Sequence, residues 1–361
     1  MNQEKGEKYT SLRADGRGVR SPPPPGSIIR PRLLPDVLPP RDHGFDPLQP
    51  WRRRAHCAGV RNRYPVLRSP LPNLASALLL AVWSEALAGP VAVEDATGAT
   101  IALAAPARRI VSLAPHATEL LFAAGAGDRI VGVLAPADWP PEAARLVRVG
   151  TAAGLDLERI VALKPDLVIV WPYLAPAQIE RLRAIGTTIF VSDPRTPAAI
   201  AVEIERLGAL AGTTAQAAGA AASFRARLAA LERRAVTTPK LAVFYEIWNQ
   251  PLYTIGGEHL ISAAIRLCGG ENVFERLSSP APQVGVEDVL AARPEAIIAG
   301  TDNAVRPDWL DGWRHWRELP AVAHGNLFVV DANLLHRAGP RFVAGAEQLC
   351  AALDRARENR R

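Results

Sequence analysis

The sequence predicts an α/β protein built as two Rossmann-like lobes with parallel sheets, joined by a long rigid backbone helix. Three observations lead there: apolar β-branched runs alternate with helical patterns, one such unit occurs twice, and an Ala-rich stretch of strong helix propensity separates the copies. The repeat is explicit. "LDLERIVALKPDLVIVW" (155–171) and "VGVEDVLAARPEAIIAG" (284–300) both run apolar, Glu, any residue, Ile or Val, then Ala, Pro, an acid and an apolar run, at a constant offset of 129 positions.

In chain order, residues 1–65 are poor folding material. "SPPPPG", "RPRLLPDVLPPRD" and "WRRRAH" mix Pro and Arg with no helical or strand period, so a disordered or mis-annotated extension is expected there. Residues 66–88 have the layout of a secretory signal peptide: Arg68, the apolar run "LASALLLAVW" (74–83), then "SEALA" with small residues at Ala86 and Ala88. Those ten apolar residues fall short of the roughly 20 that a membrane-spanning helix needs. Such a leader opens a chain, which places the expected start near Val66 or Leu71 and cleavage after Ala88. No Cys follows the cleavage site to take a lipid anchor. The mature protein is therefore expected to be exported, and it is read as a periplasmic monomer.

The formal net charge of +6 resides in the leading segment, where residues 1–88 carry 14 Lys plus Arg against 7 Asp plus Glu, leaving 28 against 29 for residues 89–361. A balanced mature chain argues against nucleic acid as a partner. Cys57 falls in the removed part, so Cys268 and Cys350 are the only two cysteines of the mature chain. An even pair outside the cytosol favours a disulfide, the alternative being two buried thiols packed as small hydrophobes.

An N-terminal lobe is expected over 89–196. "RIVSLA" (109–114) reads as a strand, "TELLFAAGAG" as a helix, "RIVGVLA" (129–135) as a strand, and "GTTIFVSD" (186–193) as another after the first copy of the repeat. Each copy reads as a short helix with Leu157, Ile160 and Val161, or Val286, Val289 and Leu290, on one face. Pro165 or Pro294 stops it, and "DLVIVW" or "EAIIAG" follows as a buried strand. Residues 197–238 form the helical connector, broken near "GTT" (212–214). Its later piece, "AQAAGAAASFRARLAALERRA", would be roughly 30 Å long at 1.5 Å per residue. The C-terminal lobe, 239–361, opens with "KLAVFYEIW" (240–248) and includes "GNLFVVD" (325–331).

Ligands in open parallel sheets sit at the carboxyl ends of the strands. There the sequence places His116, Pro136 with Trp139, Trp171 with Tyr173, Trp248, and an "ANLLHR" loop carrying Asn333 and Arg337. Aromatics and one guanidinium from both lobes would line an interlobe cleft suited to a large, partly apolar ligand. The mature His residues (116, 259, 315, 324, 336) contain no His-x-x-x-His pair, and neither a Gly-x-Ser-x-Gly elbow nor a Walker loop occurs. No catalytic residue, catalytic cofactor or resident metal is expected, and the chain reads as a binding protein rather than an enzyme.

From about residue 108 to 355 the chain resembles the helical-backbone periplasmic substrate-binding proteins that serve ABC importers of cobalamin, haem and iron siderophores, most of all the cobalamin branch. The resemblance rests on "RIVSLAPHATELLFAAGAG", "DWPPEA", the two repeat copies, "CGGENVF", and "RAGPR" followed by "QLC". It implies a corrinoid held between the lobes and delivered to the importer's permease subunits, with haem or an iron siderophore as the alternative cargo. It also implies a Cys268–Cys350 bridge. Cobalamin binders carry aromatics where this chain has Pro136, Ala152 and Ala281, and an acid where it has Asn333; Trp171 and Arg337 fit the pattern.

Beside these roles stand plainer ones. Trp139 and Trp171 could be core or lid aromatics, Arg337 could pair with a nearby acid, and His116 could be a satisfied loop histidine rather than a contact to the corrin face or its metal. Trp248, flanked by Asn249 and Gln250, favours ligand contact. Glu158 and Glu287 share one position in the two copies, in the first helical turn and about 100° from the apolar stripe. A repeated helix start would explain them, but Asp156 already supplies an N-terminal carboxylate in the first copy. The resemblance implies that both Glu dock onto arginines of the permease.

Overall fold

The computed structural model describes residues 89–151 and 153–360. The extension 1–65, the leader 66–88, Cys57 and Ala152 lie outside the described residues. The first strands, β1 (Val91–Glu94) and β2 (Thr100–Leu103), form an antiparallel hairpin. Asp95 fixes its turn by accepting hydrogen bonds from the backbone N–H groups of Thr97 and Ala99 at 2.8 and 3.1 Å.

The alternation read from the sequence then appears as β3 (Ile110–Ser112), α1 (Pro115–Ala123), β4 (Ile130–Ala135), β5 (Arg148–Thr151), β6 (Gly154–Leu155), α2 (Leu157–Ala162), β7 (Leu167–Val170), α3 (Pro176–Ala184) and β8 (Ile189–Val191). The strands make one sheet in the order β6-β5-β4-β3-β7-β8, parallel except for the β5–β6 pair. All four residues of β7 are buried, as an unbroken apolar run should be when helices cover both faces of a parallel sheet.

Two helices cross to the second lobe. Helix α4 (Pro197–Ala211) ends where Gly212 turns left-handed at φ 67°, and α5 (Thr214–Thr237) follows. They pack closely because Gly208 has no side chain: a Cβ there would lie 2.1 Å from that of Ala217. The expected break near 212–214 is therefore a helical hairpin. Helix α5 buries Ala217, Ala221, Phe224, Leu228 and Leu231, a three–four spaced stripe. On its polar face Arg225 pairs with Glu205, and Arg227 with Glu347.

The second lobe runs β9 (Leu241–Glu246), β10 (Trp248–Asn249), β11 (Leu252–Tyr253), α6 (Leu260–Leu267), β12 (Gly270–Asn272), α7 (Val286–Ala292), β13 (Ala296–Thr301), α8 (Pro320–Ala323), β14 (Leu327–Asp331), α9 (Ala332–Leu335) and α10 (Phe342–Asn359). Its sheet, β12-β9-β13-β14, is parallel throughout. The "ANLLHR" segment expected as a loop begins as α9, because Asp331 caps it by accepting from the Asn333 N–H at 2.9 Å. The sulfurs of Cys268 and Cys350 are at bonding distance, with Cα atoms 4.7 Å apart, fastening the end of α6 to α10.

The repeated sequence has a repeated local cause. After α2 and α7 the chain turns through Lys164 at φ 45° and Arg293 at φ 48°, a left-handed conformation immediately before proline in both copies. The repeated acid ties each unit to the neighbouring strand. Asp166 accepts from the backbone N–H of Arg108 and Arg109 at 2.8 and 3.0 Å, and Glu295 accepts from that of Ala242 at 3.0 Å. One expected core position is wrong: Ile160 is buried, but Val161 is 51% exposed. Helix α2 has six residues, and the next position lies 100° around it, beyond the narrow face that so short a helix presses on the sheet.

One apolar core runs through both lobes, from Ile110, Leu167 and Ile169 across the α5 stripe to Val243, Ile298 and Leu349. Two smaller cores cover the outer faces, around Val168 and Val170 in the first lobe and Phe244 and Trp313 in the second.

Candidate ligand cleft between the lobes

A cleft of about 500 Å³ opens between the lobes at the carboxyl ends of the strands, a volume inside the roughly 300–1,000 Å³ range of small-molecule sites. The first lobe lines it with Pro115 and His116 after β3, Pro136 after β4, Trp171 and Tyr173 after β7, and Asp193, Pro194 and Arg195 after β8. The second contributes Glu258, His259 and Leu260 at the start of α6, Pro280, and Leu335 to Ala338 at the end of α9.

The aromatic wall is built on Trp171. Its ring meets Tyr173 edge-on at 5.2 Å and His116 at 5.9 Å. Tyr173 is 71% exposed, so the pair offers an apolar face to whatever enters. His116 is buried and its Nε2 lies 3.1 Å from Ser192 Oγ. Burial pushes its pKa down to about 4, so a neutral imidazole lies behind this wall at neutral pH.

The opposite wall carries two more imidazoles. His259 caps α6 by accepting from the Ile261 N–H on Nδ1 at 3.1 Å, which leaves its own N–H on Nε2; burial lowers its pKa. His336 Nε2 lies 3.0 Å from the Tyr245 hydroxyl. Burial holds the phenol well above its ordinary pKa, so it stays protonated and can donate to His336.

Arg337 lines the cleft, but its guanidinium is committed to carboxylates of the other lobe. Nη1 donates to Glu119 Oε1 at 3.1 Å and to Asp138 Oδ1 at 2.5 Å, and Nη2 donates to Asp138 Oδ2 and Asn333 Oδ1, both at 3.1 Å. Arg341 completes the cluster by donating to both oxygens of Glu119 at 2.7 and 2.9 Å. Glu119 is 1% exposed, and both of its oxygens are held by guanidinium donors. The Arg337 hydrogen bond holds the Asp138 carboxyl below its usual pKa. The cluster is a strap between lobes, the acid-pairing alternative for Arg337.

Of the eight residues expected around the ligand, His116, Pro136, Trp171, Tyr173 and Arg337 line the cleft. Three do not. Trp139 stacks under Arg341 with the guanidinium carbon 4.7 Å from its ring centre. Asn333 orients Arg337 and donates to Asp302. Trp248, just past the end of β9, is 59% exposed at the start of the β10–β11 hairpin, its Nε1 donating to the Gln250 carbonyl at 2.9 Å. Asp193, Arg195, Glu258, His259 and His336 were missed. The strand-end rule applied to "VSDPR" after β8 would have found the first two. Glu258 and His259 follow a hairpin, where no strand end announces them.

Outside the cleft, Glu158 and Glu287 are exposed on α2 and α7. Neither has a hydrogen-bond or salt-bridge partner among the described residues, because other acids serve the helix starts. Asp156 accepts from the Arg159 N–H at 2.9 Å, and Asp288 from the Gly285 N–H at 2.8 Å.

Residues 110–334 match the family model for periplasmic binding proteins. The chain belongs to the periplasmic binding protein family. Among relatives of this periplasmic binding protein, the vitamin B12-binding protein of Vibrio parahaemolyticus is 37% identical over 247 residues, 68% of this chain and 89% of the relative. The crystal structure of the periplasmic vitamin B12 binding protein BtuF of Vibrio cholerae superposes with a TM-score of 0.64 at 38% identity, covering 70% of this chain and 98% of that one. The periplasmic heme-binding protein RhuT of Roseiflexus sp. RS-1 gives a TM-score of 0.61 at 26% identity, over 69% and 99% of the two chains.

Proposed function

We propose that this protein captures cobalamin or a related corrinoid in the interlobe cleft and delivers it to the permease of an ABC importer, without catalysing a reaction. The observation that carries this is the lining: an aromatic wall of Trp171 and Tyr173 faces imidazoles that can bond amides. Of the two cations that line the cleft among the described residues, Arg337 is held by Glu119 and Asp138. Such a surface suits a large, amide-rich and nearly neutral macrocycle. The likeness to vitamin B12-binding proteins over about nine-tenths of their length agrees.

The same proposal takes residues 66–88 as an export signal removed after Ala88, and Cys268–Cys350 as a disulfide formed in the periplasm. The mature monomer then consists of lobes 89–196 and 239–361 about the connector 197–238. Glu158 and Glu287, one on each lobe and without partners among the described residues, are the docking contacts for arginines of two permease subunits.

Haem or an iron siderophore is the second reading, supported by the likeness to RhuT. Haem carries two propionates, and among the described residues the cleft offers one guanidinium with both terminal nitrogens open, that of Arg195. The test is to isolate the protein from the periplasm of cells fed cyanocobalamin and haemin together and record its absorption spectrum. A corrinoid spectrum is expected; a haem spectrum would overturn the proposal in favour of the second reading.

A further inference from the structure

Arg195 differs from the other cation of the cleft in having donors to give. Its Nε donates to Asp193 Oδ2 at 2.6 Å, and its side chain is 78% exposed. Neither terminal nitrogen has a hydrogen-bond partner among the described residues. Asp193 is only 18% exposed on its side chain, so the ion pair anchors the guanidinium by one edge and leaves the other pointing outward. The position is rigid on both sides: Pro194 is buried before it, and Thr196 caps α4 after it, accepting from the Ala199 N–H at 3.2 Å. Tyr173 and Glu258 are near enough to act on its charge, and neither makes a salt bridge or hydrogen bond with it among the described residues.

A planar fork with two parallel donors fits a phosphate or carboxylate. We propose that Arg195 binds the anionic phosphodiester of a corrinoid's nucleotide loop, and so makes the protein discriminate complete corrinoids from those lacking the loop. This rests on the corrinoid reading above. Three further observations favour it. The remaining cation of the lining is held by carboxylates of the opposite lobe. Tyr173 and Trp171 beside Arg195 supply an apolar face for the macrocycle. Asp193 holds Arg195 in place before the ligand arrives, which lowers the ordering cost of binding. Glu258, on the opposite wall of the cleft, is the competing partner, since its charge already acts on Arg195.

The test compares two ligands on wild type, Arg195→Ala and Glu258→Gln, using the full chain and checking each variant's fold by its thermal melt. Cyanocobalamin has the phosphodiester; dicyanocobinamide keeps the corrin ring and lacks it. Arg195→Ala should weaken cyanocobalamin by about tenfold, as expected for one partly exposed charge-assisted contact, and leave dicyanocobinamide within about twofold. Glu258→Gln should not reproduce that selectivity. An equal loss for both ligands, or no loss for either, overturns the role of Arg195 while the corrinoid reading stands. A wild-type protein that binds neither ligand overturns the corrinoid reading itself, and the role of Arg195 with it.

Discussion

Glu203 is 3% exposed, and one of its carboxyl oxygens, Oε1, has no hydrogen-bond partner among the described residues. Burial raises its pKa from 4.5 to about 7, against a hydrogen bond from Ser192 and the charge of Arg206, with Asp95 and Asp193 adding to the rise. The folded state thus holds a proton that the unfolded chain loses, and stability from this group declines as pH climbs from about 4.5 to about 7. Glu203→Gln removes that decline. Relative to wild type the variant should gain roughly 1–3 kcal/mol between pH 5 and pH 8, read from denaturant midpoints at the two values; a constant difference would show that Glu203 does not titrate in this window. His116 works in the opposite direction, since its lowered pKa makes stability rise between about 4 and 6.5. Trp171 gives the site's own test at this scale. Trp171→Ala should weaken corrinoid binding by roughly 1–3 kcal/mol through lost apolar contact, and unchanged affinity in a folded variant would remove Trp171 from the ligand wall.

At the scale of elements, the long strands and helices were legible because each has a period or an unbroken apolar run: β7 reads directly from "DLVIVW", and α5 from its Ala-rich stripe. Short elements fixed by distant contacts were not. The β10–β11 hairpin has two residues per strand, too few for any alternation, so nothing local announces that Trp248, just past the end of β9, enters a hairpin outside the cleft lining. The turn Asp308–His315 exists because Trp313 is buried and donates to Glu246 at 2.8 Å, a contact across 67 positions that no local pattern announces. Part of the cleft was readable for the same reason, as residues following strong strands. The interlobe strap was not, since Glu119 and Arg337 are separated by 218 positions. The cysteine pair is a further element-scale feature, closing a separation of 82 residues between α6 and α10. Reducing it should cost about 2–4 kcal/mol, seen as a lower urea midpoint in reductant. Mass spectrometry of unreduced periplasmic protein should recover the two cysteine peptides linked; freely alkylated thiols would count against the bridge and the compartment together.

At the scale of the whole molecule, the lobes share one continuous core along α5 and are strapped at one side of the cleft by the Glu119, Asp138, Arg337 and Arg341 cluster. A frame of this kind holds its two outer surfaces at a fixed separation, as the proposed docking of Glu158 and Glu287 onto two subunits would require. Replacing both with Arg should leave ligand affinity intact while abolishing uptake in cells that depend on the cognate importer; wild-type uptake would reduce the repeated acid to a repeated helix start. Whether the cleft takes a corrinoid is tested most directly by calorimetric titration of the full chain with cyanocobalamin and haemin in parallel. Saturable corrinoid binding at micromolar Kd or tighter, about −8 kcal/mol or better, is the predicted result. Saturable haemin binding with no heat from cyanocobalamin would contradict it.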